Sequence, residues 1–325
     1  MGCYAVIGMG SIAKRHLANL NFLHPSSKIY CVSASGLNKA LPEYADEVIS
    51  LERLLEMRPV YAIVASPAPF HVTTAKILLQ NGISVLIEKP LAATVEDCDD
   101  LLSFIMSMQS SVVSVGYCLR FLPSAQIVKN YLERGALGTV YNVESNVGQF
   151  LPHWRAGLNY KESVSARKEL GGGALLELSH ELDYLFWLFD DLELQHSWLR
   201  TTGELDLDVE DIADLVLTTP SGINISVHLD FLQKSTQRTC VFIGEKGRLV
   251  WDLLSNSVTL FHATGNETLY SDPHYDKNHM YIDMLKAHED MINKDCSKLA
   301  TVGSSSKVVK LIEDAKKSNK WRGVA

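Results

Sequence analysis

The glycine-rich turn at residues 8–13 constrains the fold more than any other feature of the sequence. A short apolar run at residues 3–7 precedes it, as expected for a parallel strand that is buried on both faces. The turn reads Gly-Met-Gly-Ser-Ile-Ala and opens a helical pattern, so a G-x-G-x-x-A spacing stands between a strand and a helix. Gly8 would allow a tight turn and Gly10 a close approach to a diphosphate at the helix N-terminus; the alternative is a simple glycine turn. The residues predicted to bind a dinucleotide here are Gly8, Gly10, Ser11 and Ile12.

Buried strands alternate with helical patterns through the first 118 residues, which predicts a doubly wound parallel sheet. After residue 118, successive strands follow one another without helices between them, and several alternate in polarity. This second pattern predicts a mostly antiparallel sheet. We therefore predict an α/β chain with a Rossmann domain at 1–118 and an α+β domain at 119–325. The large open sheet of the second domain is the expected surface for a homodimer or homotetramer.

Composition and charge exclude several classes of protein. The chain of 325 residues has a formal net charge of −8 and no basic run, so nucleic acid is not an expected partner. No apolar run reaches the roughly 18 residues that suggest a membrane span, and no separate segment precedes the first strand as a signal peptide. The six cysteines are scattered without metal-like spacing. We expect reduced thiols, no metal site and a cytoplasmic location.

The end of the second predicted strand bears on the choice of dinucleotide. An acid expected about 20 residues past the glycines would hydrogen-bond the ribose of NAD, but the strand ends instead at Ser33, with no carboxylate nearby. A carboxylate would repel the 2′-phosphate of NADP, so its absence permits NADP and slightly favours it over NAD. Ser33 is then expected in the ribose pocket, with Lys39 or Arg15 as the candidate partner of the phosphate.

Two further segments follow predicted strands, at the edge of the sheet where ligands bind in this kind of fold. Residues 66–71 follow one strand, and Glu-Lys-Pro at 88–90 follows another directly. Lys89 is an unusual packing choice after a buried apolar strand, because an unpaired ammonium resists burial. The alternative is a lysine that pairs with Glu88 or with a surface acid. The residues predicted to bind the dinucleotide at this edge are Ser66, Pro67, His71 and Glu88.

In the second half, three glycines at 171–173 lead into a helical pattern. Polar residues spaced three and four apart are predicted to share one face of that helix, opposite an apolar face. A polar stripe with one histidine is otherwise often a solvated surface. The polar set comprises Glu177, His180, Glu181 and Tyr184.

The polar segment 151–170, which carries aromatic and basic residues, is interpreted as a substrate-facing loop. Arg155 and Tyr160 are the candidate substrate contacts, and the alternative is a solvated cationic loop. A functional loop of this kind would favour a polyhydroxylated substrate with an anionic group, such as a sugar acid or a nucleotide-linked sugar.

Nearly the whole chain resembles the Gfo/Idh/MocA family, named for glucose–fructose oxidoreductase and inositol dehydrogenase. The most specific shared elements are Glu-Lys-Pro at 88–90 and the three glycines that precede His180. The other elements that match in order and separation are Gly8-x-Gly10-x-x-Ala13 with His16, Ser66-Pro67 with His71, Gly116-Tyr117 with Arg120-Phe121, Gly135-Ala136-Leu137-Gly138 and His180-Glu181-Leu182-Asp183.

The resemblance implies that Lys89 lies beside the nicotinamide and the reacting hydroxyl, with a cis Lys89–Pro90 bond. It also implies that His180 comes from the second domain as the acid/base, and that Arg120 contacts the substrate. Oxidation of an alcohol requires removal of its O–H proton, which suits a histidine with an ordinary pKa of about 6.5; a nearby ammonium stabilises the alkoxide. One departure concerns Glu177, which stands three residues before His180 where many members have an Asp four before. Whether Glu177 orients His180 or binds substrate hydroxyls therefore stays open.

The sequence thus predicts an enzyme that transfers a hydride between NAD or NADP and a secondary alcohol or ketone of a sugar, polyol or sugar derivative. One alternative is a glycosidase whose bound dinucleotide oxidises and re-reduces the sugar transiently. A second is a non-catalytic dinucleotide-binding sensor. Retention of both Lys89 and His180 argues against the sensor, since a pure binder needs neither a base nor a cation at one carbon.

Overall fold

The computed structural model describes residues 2–33, 40–107, 112–155, 157, 159–293 and 298–319. The chain forms two compact units, and each is made of two stretches of sequence. The first unit comprises Met1–Cys118 and Asn278–Val309, and the second comprises Leu119–Lys277 and Lys310–Ala325. Residues 278–309 thus pack with the first unit, although the sequence analysis counts them in the second domain. The division into functional domains at 1–118 and 119–325 stays a prediction.

The first unit contains a parallel sheet of six strands in the order β3-β2-β1-β4-β5-β6. Its strands are β1 (Cys3–Ile7), β2 (Lys28–Val32), β3 (Glu47–Ile49), β4 (Tyr61–Val64), β5 (Ser84–Glu88) and β6 (Val113–Gly116). Its first four helices are α1 (Ser11–Leu23), α2 (Leu51–Met57), α3 (His71–Gln80) and α4 (Val95–Met106). The predicted doubly wound sheet is confirmed. The short strand β3 was not predicted, because three residues that begin with a glutamate give no apolar run.

The order of the strands reverses between β1 and β4, which are neighbours in the sheet although two strands separate them in sequence. Every residue of β4 and β5 is buried, as expected for strands covered by helices on both faces. In a sheet of this kind, the crevice at the carboxyl ends of the two strands that flank the reversal is the usual place for a ligand. The sheet therefore directs attention to the residues that follow β1 and β4.

The second unit contains an eight-stranded sheet in the order β14-β13-β12-β11-β7-β10-β9-β8. Its pairs are antiparallel except β7 with β10, so the predicted mostly antiparallel sheet is confirmed. Its strands are β7 (Val140–Gly148), β8 (Glu193–Arg200), β9 (Ile212–Thr218), β10 (Asn224–Asp230), β11 (Gln237–Gly244), β12 (Gly247–Asp252), β13 (Ser257–His262) and β14 (Gly265–Ser271). The remaining α-helices among the described residues are α5 (Pro123–Glu133), α6 (Ala174–Glu177), α7 (His180–Phe189), α8 (Asn278–Ile292) and α9 (Val302–Ser318).

The two faces of the second sheet differ in burial. Val143, Ser145 and Val147 of β7 are buried on the face against which α5, α6 and α7 pack. The alternate residues of the strand are exposed or half-buried, and Glu144 is exposed. The period of two along β7, repeated along β9, therefore separates a covered face from an open one.

Candidate active site

The turn after β1 brings the backbone of Gly8 against the neighbouring strands. Gly8 has a φ of +124°, and its N–H donates to the carbonyl oxygen of Val32 at 2.9 Å. A Cβ added to Gly8 would lie 2.5 Å from the carbonyl oxygen of Ala65, closer than real Cβ contacts come. Only glycine combines this conformation with this close approach. Gly8 thus closes the turn at the point where the order of the strands reverses.

The N-terminus of α1 leaves room for a ligand. Gly10 is the N-cap residue, without a side chain that could cap the helix, and the first turn holds no acidic residue. A Cβ added to Gly10 would meet no atom within 4 Å, and Ser11 and Ile12 are the first two residues of the helix. Nearby after β4, the Ser66 Oγ is buried and has no hydrogen-bond partner among the described residues. Open helix N–H groups and a buried hydroxyl without a partner fit the diphosphate of a dinucleotide.

Ser33 follows β2 beside this turn and is buried, with 9% of its surface exposed. Of the two candidate partners for a 2′-phosphate, Lys39 lies outside the described residues. The Arg15 guanidinium stacks 4.5 Å from the centroid of the Tyr281 ring on α8. The Tyr281 ring also meets the His16 ring edge to face, with centroids 6.3 Å apart, and His16 contacts Glu88 at the end of β5, so the Tyr281 ring lies towards β5. Arg15 is therefore held on the side of the sheet away from β2.

His71 is buried behind Ser66 rather than open to a ligand. Its Nε2 lies 2.6 Å from the carbonyl oxygen of Ser66, and its Nδ1 lies 2.9 Å from the carbonyl oxygen of Pro90. Burial lowers the pKa of His71, and the two carbonyl groups oppose that effect. The ring thus connects the segment after β4 with the segment after β5. The Lys89–Pro90 peptide bond in the second of these segments is cis, as the resemblance implies.

Glu88 fixes the backbone at Lys89. Its Oε1 lies 2.7 Å from the Nε2 of His16, which is fully buried on α1, and its Oε2 accepts the backbone N–H of Lys89 at 3.1 Å. Glu88 itself is only 5% exposed, so its carboxylate faces these two groups. Lys89 is half-buried at the carboxyl end of β5. One carboxylate therefore links the helix that starts at the glycine turn to the backbone of the lysine.

The predicted single helix after the three glycines is wrong, because the chain forms two helices there. Helix α6 ends at Glu177, Leu178 leaves the helical conformation with ψ +26°, and α7 begins at His180. Glu177 and His180 consequently do not share one helix face. Glu177 accepts a hydrogen bond from the hydroxyl of Ser165 at 2.9 Å, which ties the preceding loop to α6.

The first turn of α7 is held by buried polar pairs, so the alternative of a solvated stripe is wrong. Glu181 is fully buried and receives two hydrogen bonds from Arg238, at 2.7 and 3.0 Å. Asp183 receives two from Arg120, at 2.9 and 2.7 Å, and both of these side chains are buried. Burial raises the pKa of Asp183, and the Arg120 guanidinium opposes that rise. His180, half-buried, is the first residue of this anchored turn.

The two candidate substrate residues of the loop lie in different surroundings. Arg155 is exposed. Tyr160 is half-buried, and its hydroxyl donates to the carbonyl oxygen of Leu205 at 3.1 Å. In the same loop the exposed Lys161 pairs with Asp206 at 2.6 Å. Part of the cationic character of the loop is therefore used in internal contacts.

Sequence reasoning missed Arg238 and Tyr281. Arg238 has the same phase as the buried Cys240 and Phe242 along β11. A charged residue in the inward phase of a strand requires a buried partner, and this was the signal that could have identified it. The sequence gives no comparable signal for Tyr281, because an aromatic residue at helical spacing is expected to pack in the hydrophobic core.

The parallel sheet, its glycine turn and the fit of that turn to a diphosphate define a Rossmann unit that suits a dinucleotide. Comparison with known proteins makes this class specific. The family model described as "Oxidoreductase family, NAD-binding Rossmann fold" matches residues 3–117, and the Gfo/Idh/MocA C-terminal domain matches residues 125–250. The chain belongs to the Gfo/Idh/MocA family of oxidoreductases.

Individual relatives agree with this membership. An uncharacterised oxidoreductase of Synechocystis is 29% identical over 265 residues, which are 76% of this chain and 70% of the relative. Inositol 2-dehydrogenase 1 of Saccharopolyspora erythraea is 26% identical over 276 residues, 81% of this chain and 77% of the relative. The structure of a levoglucosan dehydrogenase in complex with NADH and levoglucosan superposes with a TM-score of 0.81 at 18% identity, covering 98% of this chain and 97% of that one. At that identity the superposition shows the shared fold.

The described ranges contain neither a candidate metal site nor a membrane-spanning helix. No group of three or more His, Cys, Asp or Glu side chains in them could hold a metal ion. None of the helices described has the length and apolar character needed to cross a membrane.

Proposed function

We propose that the chain is a dehydrogenase that acts reversibly on a secondary alcohol of a sugar, polyol or sugar derivative with NAD or NADP. The fixing of Lys89 carries the proposal: His16 holds Glu88 at 2.7 Å, and Glu88 accepts the Lys89 backbone N–H at 3.1 Å. A sensor that only binds a dinucleotide has no need of a lysine held in this way. The names of two relatives, inositol 2-dehydrogenase and levoglucosan dehydrogenase, support a polyhydroxylated substrate.

Each residue in the proposal has one chemical task. The dinucleotide, when bound, accepts or returns a hydride. His180 takes the proton of the substrate hydroxyl, because an imidazole exchanges protons near neutral pH. Lys89 supplies an ammonium that stabilises the negative charge developing on the same oxygen. Gly8, Gly10 and Ser66 contact the dinucleotide.

We propose NADP as the preferred dinucleotide. The support is the absence of a carboxylate at Ser33, at the end of β2, where an acid would bind the ribose of NAD and repel a 2′-phosphate. Lys39 and Arg15 are the candidate partners of the phosphate, and in this structure the exposed Arg15 guanidinium stacks on the Tyr281 ring.

We also propose that the protein acts in the cytoplasm as a homodimer or homotetramer formed through the open face of the second sheet. This face carries apolar side chains among its polar ones, and such a surface is stabilised by burial against a second copy. Its apolar residues include Val216, Val241, Ile243 and Val250.

A substrate screen tests the proposed activity. Sugars, sugar acids and nucleotide sugars are offered with each cofactor while the absorbance of the reduced nicotinamide is followed, and we expect at least one to be oxidised. Lys89→Met should retain dinucleotide binding and lose about 100- to 1000-fold in kcat, because it removes a charge that stabilises the transition state. Lys76→Met is the matched control, since it breaks a partly exposed ion pair with Asp100 on the helices.

The outcomes separate the alternatives. Equal turnover by Lys89→Met and the parent enzyme would remove Lys89 from the mechanism. Glycoside cleavage without net change in the cofactor would favour the glycosidase. Tight dinucleotide binding without turnover of any sugar would favour the non-catalytic sensor.

A further inference from the structure

We propose that two segments of the second unit, residues 149–155 and 231–234, form a rim that binds the anionic group of the sugar substrate. The rim rests on the proposed dehydrogenase function and deepens it by naming the substrate class. That class is a sugar that carries a carboxylate or a phosphate.

The pairing of β7 with β10 brings the two segments of the rim together. These strands run parallel with Gly148 opposite Asp230, so both segments leave the sheet at the same end, where the two strands finish. Backbone pairing continues beyond the strands, because the Gln149 N–H donates to the carbonyl oxygen of Asp230 at 3.2 Å. The Leu151 N–H likewise donates to the carbonyl oxygen of Phe231 at 2.9 Å. The rim is therefore a continuous surface rather than two separate loops.

Glu181, the residue that follows His180, is anchored at this same end of the second sheet. Arg238 of β11 is in register with Val147, one residue before the end of β7. The Arg238 guanidinium binds Glu181 at 2.7 Å. The residue next to the proposed acid/base is thus anchored at the end of the sheet from which the rim extends.

Aromatic rings give the rim a defined surface. Phe150 and His153 meet edge to face with their centroids 4.9 Å apart, and the half-buried Trp154 packs in the same way, at 5.3 Å, on the fully buried ring of Phe231. The indole N–H of Trp154 donates to the carbonyl oxygen of Gln149 at 3.2 Å, which fixes the ring. Rigid rings with an apolar face and a polar partner suit the C–H face of a sugar ring.

The charge of the rim selects an anion. The chain has 38 acidic residues, yet residues 149–159 and 231–237 contain none, while they hold His153, Arg155 and Lys234. The ammonium of Lys234 lies 3.1 Å from the centroid of the Phe150 ring, which holds this cation in place beside the aromatic surface. Asp230, at the base of the rim, accepts bonds from the Leu232 and Gln233 N–H groups at 2.7 and 2.8 Å and is buried. A basic surface without competing carboxylates attracts a carboxylate or phosphate.

The test compares pairs of sugars whose members differ at one position, a carboxylate against a hydroxymethyl group, with the full chain and its dinucleotide. The pairs are D-glucuronate with D-glucose and D-galacturonate with D-galactose, and UDP-glucose represents a phosphate-borne charge. We expect kcat/KM to be at least about tenfold higher for the anionic member of a pair, and KM for that member to rise with ionic strength. A response to the hexuronates identifies a carboxylate as the bound group, and a response to UDP-glucose alone identifies the diphosphate.

Lys234→Gln should lower the ratio of anionic to neutral kcat/KM by about tenfold, the loss expected for one charge-assisted hydrogen bond. Lys246→Gln is the matched control, because this exposed lysine lies in the β11–β12 turn, at the opposite end of β11 from Arg238. The proposal is overturned if the ratio of anionic to neutral kcat/KM is unchanged in Lys234→Gln. It is also overturned if the parent enzyme does not favour the anionic sugars.

Calorimetric binding of the same pairs separates the rim from the proposed function. If no sugar is oxidised but anionic sugars bind more tightly than neutral ones, and less tightly to Lys234→Gln, the rim stands and the dehydrogenase assignment fails. If sugars are oxidised without regard to charge, the dehydrogenase stands and the rim fails. If no anionic sugar binds at all, the rim fails as well.

Discussion

At the scale of single residues, Ser33 and Glu88 show how one side chain governs a ligand or a neighbour. Ser33 follows β2 beside the glycine turn, and it is the residue proposed to face the ribose of the dinucleotide. Glu88 uses both carboxylate oxygens, one towards His16 and one towards the backbone of Lys89. Glu88 stays a predicted contact of the dinucleotide, and its observed contacts fix the backbone of Lys89.

The choice of dinucleotide is a prediction at this scale. Ser33→Asp should shift the preference from NADP towards NAD by about tenfold or more in kcat/KM, because the new carboxylate accepts hydrogen bonds from the ribose and repels a 2′-phosphate. The ratio of kcat/KM for the two cofactors measures the shift. Ser26→Asp, an exposed position before the same strand, is the control. A preference that does not move in Ser33→Asp would refute the placing of the ribose pocket.

At the scale of elements, α7 is the instructive case. Three residues of its first two turns are buried and polar, and each has a partner on another element of the second unit: Glu181 with Arg238, Asp183 with Arg120, and Tyr184 with Ser145. A helix fixed by two buried arginine–carboxylate pairs can hold its first residue in a constant position. That first residue is His180. These contacts explain why the polar residues of α7 are buried, although their spacing alone is typical of a solvated helix face.

The pair of Arg238 with Glu181 supports a prediction on stability. Arg238→Met should lower the free energy of unfolding by about 3 kcal/mol, because it leaves the fully buried Glu181 carboxylate without its partner. Adding Glu181→Met should recover most of that loss. Arg248→Met, an exposed position on the adjacent β12, should change stability by no more than about 0.5 kcal/mol. Urea unfolding measures all four proteins, and a single Arg238 variant as stable as its parent would contradict the prediction.

At the scale of the whole molecule, stability depends on pH through a charged cluster on the second sheet. His228 on β10 hydrogen-bonds Asp214 at 2.6 Å and Asp230 at 3.0 Å. These two carboxylates raise the pKa of His228 to about 9, although its partial burial acts in the opposite direction. Arg200 also pairs with Asp214, at 2.6 Å, and keeps its charge across the range concerned. The cluster therefore contains two acids, one permanent cation and one cation that titrates.

The sign of the pH dependence follows from the raised pKa of His228. The protonated histidine stabilises the folded chain fully below about pH 6.5, its ordinary pKa. That contribution is lost as the pH rises through about 9, the value in the folded protein. The denaturant midpoints of the parent and of His228→Gln, measured at about pH 6, 8 and 10, test this prediction. The parent should have the higher midpoint at low pH, and the difference between the two midpoints should shrink as the pH rises. A difference that stays constant would contradict the prediction.

The sequence by itself determined the first turn of the molecule, the parallel sheet and the mostly antiparallel character of the second sheet. These features depend on neighbours a few residues apart, such as Gly8 with β1 and α1, and local pattern carries that information. Tertiary structure alone decided the break between Glu177 and His180, the parallel pairing of β7 with β10, and the packing of α8 with the first unit. It also brought Arg238 to Glu181, which are 57 residues apart. Contacts over such separations form only once elements pack, so the periodicity of either segment cannot reveal them.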